Sequence, residues 1–235
     1  MLRIILSFFG GVFTFLTMSV VAFALTIGAV FWIYGRDLPS HESLAQYKPP
    51  TISRIYSGEG RIVDEFARER RLFTGAKDVP ILIKQAFISA EDKNFYSHPG
   101  YDLRGILSAA VDAARSGGRR VRGASTITQQ VMKNFLLDGS RRAERKIKEI
   151  ILATRIENTL DKERILELYL NEIFLGQNSY GVTAAAQTYF NKTLDELAPH
   201  EAAFLASLPK APSDFHPVRR KQRLLDRRNY VLKEM

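Results

Sequence analysis

The chain has 235 residues, enough for one domain of ordinary size and an appendage, with a hydrophobic core within reach. Its formal charge of +9 favours an anionic partner: a membrane surface, a phosphate or a nucleic acid. It has no cysteine, which excludes disulfides and thiolate metal sites, and its four histidines, His41, His98, His200 and His216, lack the spacing of a histidine metal centre.

No charged residue occurs between Arg3 and Arg36. An apolar run of about 20 residues is enough to cross a bilayer as a helix. The shorter core and small-residue cleavage site of a signal peptide are not evident, so residues 1–36 read as a retained transmembrane anchor. Trp32 and Tyr34 stand where an interfacial aromatic belt is expected. Residues 37–50, with Pro39, Pro49 and Pro50, read as a polar linker, and residues 51–235 as one domain. The domain opens with a hairpin pattern. Ile52–Tyr56 and Arg61–Phe66 flank the turn Ser57-Gly58-Glu59-Gly60, the only convincing β element.

From Pro80 onward the pattern is helical. Asp78 is placed to cap a helix whose first turn holds Pro80 and whose face holds Ile83, Phe87 and Ala90. Glu91 then falls at the helix C-terminus, where the macrodipole disfavours an anion and raises a carboxyl pKa. Asp102 caps the next helix, which Gly117-Gly118 ends. The basic segment 119–123 is expected to be mobile. Thr126 with Gln129 fits a capping box for a helix carrying Gln130 and Lys133. After Asp138-Gly139-Ser140 a helix runs from Arg141 to Leu160. At about 100° per residue, Arg141, Arg145 and Lys148 share one face with Glu149 at its edge. So much positive charge on one face calls for an anion. Asp161 or Thr159 starts a further helix through Tyr169 to Ile173. Pro209 and Pro212 close another through Phe204, and the basic tail from Arg219 ends in what reads as an unfinished helix.

Three blocks concentrate the chemistry. They are Glu91-Asp92-x-x-Phe95-x-x-His98-x-Gly100, Gly123-x-Ser125-Thr126-x-Thr128-Gln129-Gln130 and Arg145-Lys146-x-x-Glu149. Two carboxylates bracket cations and amides. A carboxylate can take a proton from a hydroxyl, and arginines and lysines can hold a phosphate leaving group. The bland readings are an exposed Glu91 at a helix end, an i,i+4 ion pair between Arg145 and Glu149, and simple helix capping at Thr126.

These blocks, with Ile165–Asn171 and Ala185–Lys192 downstream, resemble the five signature motifs of the peptidoglycan glycosyltransferases, the polymerase domain of class A penicillin-binding proteins and of monofunctional transglycosylases. The resemblance covers Ile52 to the C-terminus. It implies a mainly α, lysozyme-like domain outside the cytoplasmic membrane. It also implies polymerisation of lipid II into β-1,4 glycan, with inversion and release of undecaprenyl pyrophosphate. Glu91 would be the general base. Glu149 would assist the leaving group or help hold a divalent cation, magnesium or manganese. Lys133, Arg141 and Lys148 match donor-pyrophosphate positions, and Ser125, Thr126, Gln129, Gln130, Arg145 and Asn171 match cleft positions. Asn171, like Glu167, reads better as helix scaffold. Asp92, Phe95, His98 and Gly100 would shape the loop presenting Glu91.

The expected partners are lipid II, the growing glycan, the membrane and other cell-wall synthesis proteins, but no nucleic acid. The anchor and motif spacing look like the N-terminal part of a bifunctional class A protein. Ser207-Leu208-Pro209-Lys210 matches the acyl-transfer pattern S-x-x-K, but the proline argues for a chance match. A membrane-anchored lytic enzyme and a non-enzymatic scaffold are the alternatives. A lytic enzyme has no need of the cationic face, and a scaffold has no need of the glutamates.

Overall fold

The computed structural model describes the chain except residues 1, 37, 39–43, 45, 46, 48–52, 67–69, 118–122, 124, 137–141, 213 and 216. The expected mainly α domain with a small hairpin and one long apolar N-terminal helix is borne out. Helix α1 spans Leu2–Gly35. From Ser7 to Gly35 it is 29 residues long, and it holds a window of mean hydropathy 2.1 in which no residue is buried. It is long and apolar enough to cross a bilayer. Its C-terminal end meets the body of the protein where Arg155 donates to the Gly35 carbonyl at 3.0 Å.

Strands β1 (Ser53–Tyr56) and β2 (Ile62–Phe66) form the hairpin, with Ser53 opposite Phe66. A second two-stranded piece was not foreseen. β3 (Arg70–Arg71) pairs in parallel with β4 (Ser179–Tyr180). Two residues on each side are too short for any periodic signal.

The helices are α2 (Ile81–Glu91), α3 (Leu103–Arg115), α4 (Ile127–Leu136), α5 (Arg142–Glu157), α6 (Lys162–Glu172), α7 (Val182–Phe190), α8 (Pro199–Leu205) and α9 (Lys221–Glu234). α6 is the central one. Every residue from Ile165 to Asn171 is buried, as suits a helix packed on all sides. α4 packs on α5 and α6, while α2 packs on α8 and α9. Phe87, Phe95, Ile127, Leu152, Ile156 and Tyr169 are among the fully buried side chains of the core they share.

Aspartates read as start signals cap two of these helices. Asp102 accepts from the Gly105 amide at 3.0 Å, and Asp161 rather than Thr159 accepts from Arg164 at 2.7 Å. Asp78 does not cap α2. Pro80 stands at the N-cap with extended backbone and no side-chain cap bond. A proline disfavours helical geometry in the residue before it, so Val79 cannot join the helix. The stretch read as a linker is also more than a tether. Leu44 is buried in the core, and Tyr47 packs edge-on against Phe135 and donates to Glu172 at 2.7 Å. Its prolines, Pro39, Pro49 and Pro50, and the basic segment 119–122 lie outside the described residues.

Candidate active site

Glu91 ends α2, and the chain then folds back as a tight loop to Asp102. Asp92 ties that loop down. Its carboxylate accepts from the Ile127 amide at the start of α4 at 2.9 Å and from His98 Nε2 at 2.9 Å. Nδ1 of His98 accepts from the Gly100 amide at 3.1 Å, so Nε2 carries the proton toward Asp92. Both side chains are buried, as is Phe95, whose ring lies 4.7 Å from the Lys162 ammonium. Lys162 also donates to the His98 carbonyl at 2.7 Å and to Glu157 at 2.6 Å, joining the loop to α5.

Thr126 performs two tasks. Its hydroxyl donates to the Gly100 carbonyl at 2.7 Å and accepts from the Gln129 amide at 3.2 Å. Half of the anticipated capping box is therefore made. The other half is not, because the Gln129 side chain turns to α5 instead. Gly100 has φ +94°, and a Cβ there would lie 2.6 Å from the Ala153 carbonyl oxygen of α5. No L side chain fits that conformation and that gap together. Gly100→Ala is expected to lower stability by about 1–3 kcal/mol from backbone strain alone. A urea melt would show it as a reduced midpoint, and an unchanged midpoint would refute the packing described.

Two centres meet at the start of α4, joined by consecutive amides. Gln130 donates to Glu91 at 3.0 Å. Gln129 accepts from Lys146 at 2.8 Å, and Lys146 also donates to Ser125 at 2.8 Å and to Glu149 at 3.1 Å. Glu149 is buried, with the Arg145 Nε 3.4 Å from its other oxygen. Lys146 is thus the hub of the second centre. It stands off the stripe of Arg141, Arg145 and Lys148, because Glu149 lies between Arg145 and Lys146 on α5 rather than beside Lys148. Lys148 instead pairs with Glu144 at 2.6 Å. Arg141 lies outside the described residues. Lys133 lines a cavity of about 440 Å³ with Arg71, Gln130, Phe174 and Tyr180. Gln130 connects this cavity to Glu91.

The Glu91 side chain is 13% exposed. Burial pushes its carboxyl above the ordinary value, while Gln130, Arg227 and Lys210 pull in the other direction. The direction matches the sequence expectation, but desolvation is the leading cause, where the helix C-terminus had been anticipated. Arg227 and Lys210 come from the far end of the chain, and no local pattern pointed to them.

Asn171 sits elsewhere. Its amide donates to the Thr74 and Glu167 carbonyls, and its oxygen accepts from the Thr74 amide at 2.8 Å. Those bonds tie Thr74 to α6, and the Glu167 carboxylate accepts from the Ala76 amide at 2.6 Å beside them. Ser207 is fully buried and donates to the Ala203 carbonyl, so the S-x-x-K match presents no nucleophile. Among the described residues no cluster of three metal-ligating side chains occurs. Both Glu149 oxygens face cationic nitrogens. That donor set suits an anion and does not fit a divalent ion.

A buried carboxylate, Glu91, thus lies behind a cavity through Gln130 and one residue along α4 from a cationic centre. The family model described as Transglycosylase matches residues 59–235. The chain belongs to the transglycosylase family. Penicillin-binding protein 1A of Rickettsia prowazekii is 48% identical over 228 residues, covering 94% of this chain and 29% of that protein. Its namesake in Neisseria meningitidis serogroup B is 44% identical over 233 residues, covering 99% and 29%. The crystal structure of penicillin-binding protein 1A from Haemophilus influenzae aligns with 80% of this chain and 18% of its own, at 31% identity and a TM-score of 0.44. The transglycosylase chain spans under a third of the length of the curated relatives it matches. At family level the domain is a peptidoglycan glycosyltransferase.

Proposed function

We propose that this domain polymerises lipid II into linear β-1,4 glycan, with the growing strand as donor and lipid II as acceptor. Glu91 takes the proton from the acceptor 4-hydroxyl as that oxygen attacks the anomeric carbon of the donor from the face opposite the leaving group. The bond from that carbon to the pyrophosphate oxygen breaks, the configuration inverts, and undecaprenyl pyrophosphate leaves with the bonding electrons. The cationic centre of Arg145 and Lys146, with Lys133 across α4, receives the negative charge. The single observation that carries this reading is the adjacency of Gln129 and Gln130, one amide on the cationic centre and the next on the buried base.

α1 is the membrane anchor, and the catalytic body sits on the outer side of the cytoplasmic membrane. Two features support a site held near the bilayer. α1 ends against Arg155 on α5, the helix that carries Glu149. α3 exposes Leu103, Leu107 and Val111 along one face, an apolar surface facing outward. Any contribution of a divalent ion would come through substrate phosphates, and other cell-wall synthesis proteins are the expected partners.

The test is incubation of the purified chain in detergent with lipid II, with products separated by size. Polymeric glycan and released undecaprenyl pyrophosphate are expected. A folded protein that makes no polymer but shortens pre-formed glycan would overturn the reading in favour of a lytic enzyme.

A further inference from the structure

We infer that Arg227 is the positioning residue of the base: it grips the last turn of α2 and sets a fixed positive charge beside the Glu91 carboxylate. The role rests on Glu91 being the base proposed above. Arg227 lies on α9 between the buried Leu224 and Val231, on the face that packs toward α2 and α8. Its Nη2 donates to the Ala90 carbonyl at 3.0 Å and stands 3.5 Å from Glu91 Oε1. The ring of Tyr230 lies 5.0 Å from the guanidinium carbon. Near the end of the same helix Glu234 pairs with Lys93, so α9 holds the chain on both sides of Glu91. Arg227 Nε is buried without a hydrogen-bond partner among the described residues. That is an unfavourable placement for a side chain that serves packing alone.

Glu91 meets other groups from each neighbouring element. Gln130 on α4 donates to it, Asp92 follows it in the chain, and the exposed Lys210 approaches from the segment after α8. On α6 the phenol of Tyr169 is pushed up by burial and then by the Glu91 and Asp92 carboxylates. Asp92 and burial oppose ionisation of Glu91, while Gln130, Arg227 and Lys210 favour it. Lys210 is exposed, so water and salt weaken its share. Arg227, at 14% exposure, is the cation whose field is least screened.

Two substitutions separate charge from tether. Arg227→Gln keeps a donor for the Ala90 carbonyl and removes the charge, and Arg227→Lys keeps the charge. In the full chain in detergent, the acidic limb of kcat/KM for lipid II polymerisation is expected to move up by about one pH unit in Arg227→Gln and to stay near wild type in Arg227→Lys. The Glu91 carboxyl, followed by carbon-13 NMR and assigned by its absence in Glu91→Gln, should move the same way. The inference is overturned if Arg227→Gln leaves the carboxyl titration in place, or if Arg227→Lys shifts it equally. The NMR arm needs no lipid II, so an inactive wild type would sink the polymerase reading and leave this test intact. A carboxyl that moves while the limb stays would remove Glu91 as base and leave the Arg227 contact standing. Should Arg227→Gln fail to fold by circular dichroism, Arg227→Met, which lacks both charge and donor, is set against Arg227→Lys, and an unmoved carboxyl in Arg227→Met overturns the inference.

Discussion

Glu91→Gln is expected to lower glycan synthesis by about 10³-fold, the scale on which a positioned general base acts. The substitution is close to isosteric. The glutamine carbonyl can still accept from Gln130, so the loss would reflect the proton acceptor and not the fold. Two dependences on pH follow from the raised carboxyl, whose ordinary value is 4.5. The base works ionised, so in the wild type the rate falls on the acid side at a higher pH than for a carboxylate in water. Stability behaves differently. A folded pKa above the unfolded one means that the fold favours the protonated form. The contribution of Glu91 to stability is therefore most favourable below 4.5 and is lost as pH rises through the folded value. At neutral pH the wild type bears that penalty, so Glu91→Gln should melt higher than wild type while its glycan synthesis is greatly reduced. A variant that polymerises at the wild-type rate would remove Glu91 from the chemistry.

Glu149→Gln is expected to cost about 10²-fold in kcat, the scale seen when one preorganised electrostatic group is removed. Lys146→Met should cost nearly as much, and the double variant little more than either single one. The reason is the shared centre. Lys146 joins Glu149 to Gln129 and Ser125, so losing either charge releases the same arrangement. A double-mutant cycle should return a coupling of about 1–3 kcal/mol in transition-state energy. Stability is a separate readout: Lys146 is 40% exposed and reaches water, while Arg145 stays beside the buried Glu149 carboxylate in Lys146→Met. If both single variants kept wild-type rates, Arg145, Lys146 and Glu149 would be no more than a helix-surface ion pair.

The sequence by itself determined the parts of this protein that local chemistry controls. The uncharged run from residue 4 to 35 is long enough for one helix only in an apolar setting. Asp102, Thr126 and Asp161 stand where an oxygen satisfies the free amides of a helix start, and each accepts such a bond. Ser57–Gly60 makes the hairpin turn, with Gly60 at φ +78°. Chain position put Glu91 at a helix end.

The tertiary structure decided what surrounds those groups. Arg227 meets Ala90 from 137 residues away, and β3 pairs with β4 across more than a hundred, so neither contact leaves a trace in any window of sequence. Helical periodicity put Lys148 on the cationic stripe. Packing of α4 against α5 selected Lys146 instead, because only the residue facing Gln129 and Ser125 is stabilised by them. Long-range contacts likewise gave Asn171 of α6 to the Thr74 backbone and buried Leu44 in the core. The carboxyl of Glu91 shows the division most plainly. Its place in the chain foretold the direction of its shift, and the helices closing over it supplied the leading cause, since desolvation depends on which elements exclude water and not on neighbours in sequence.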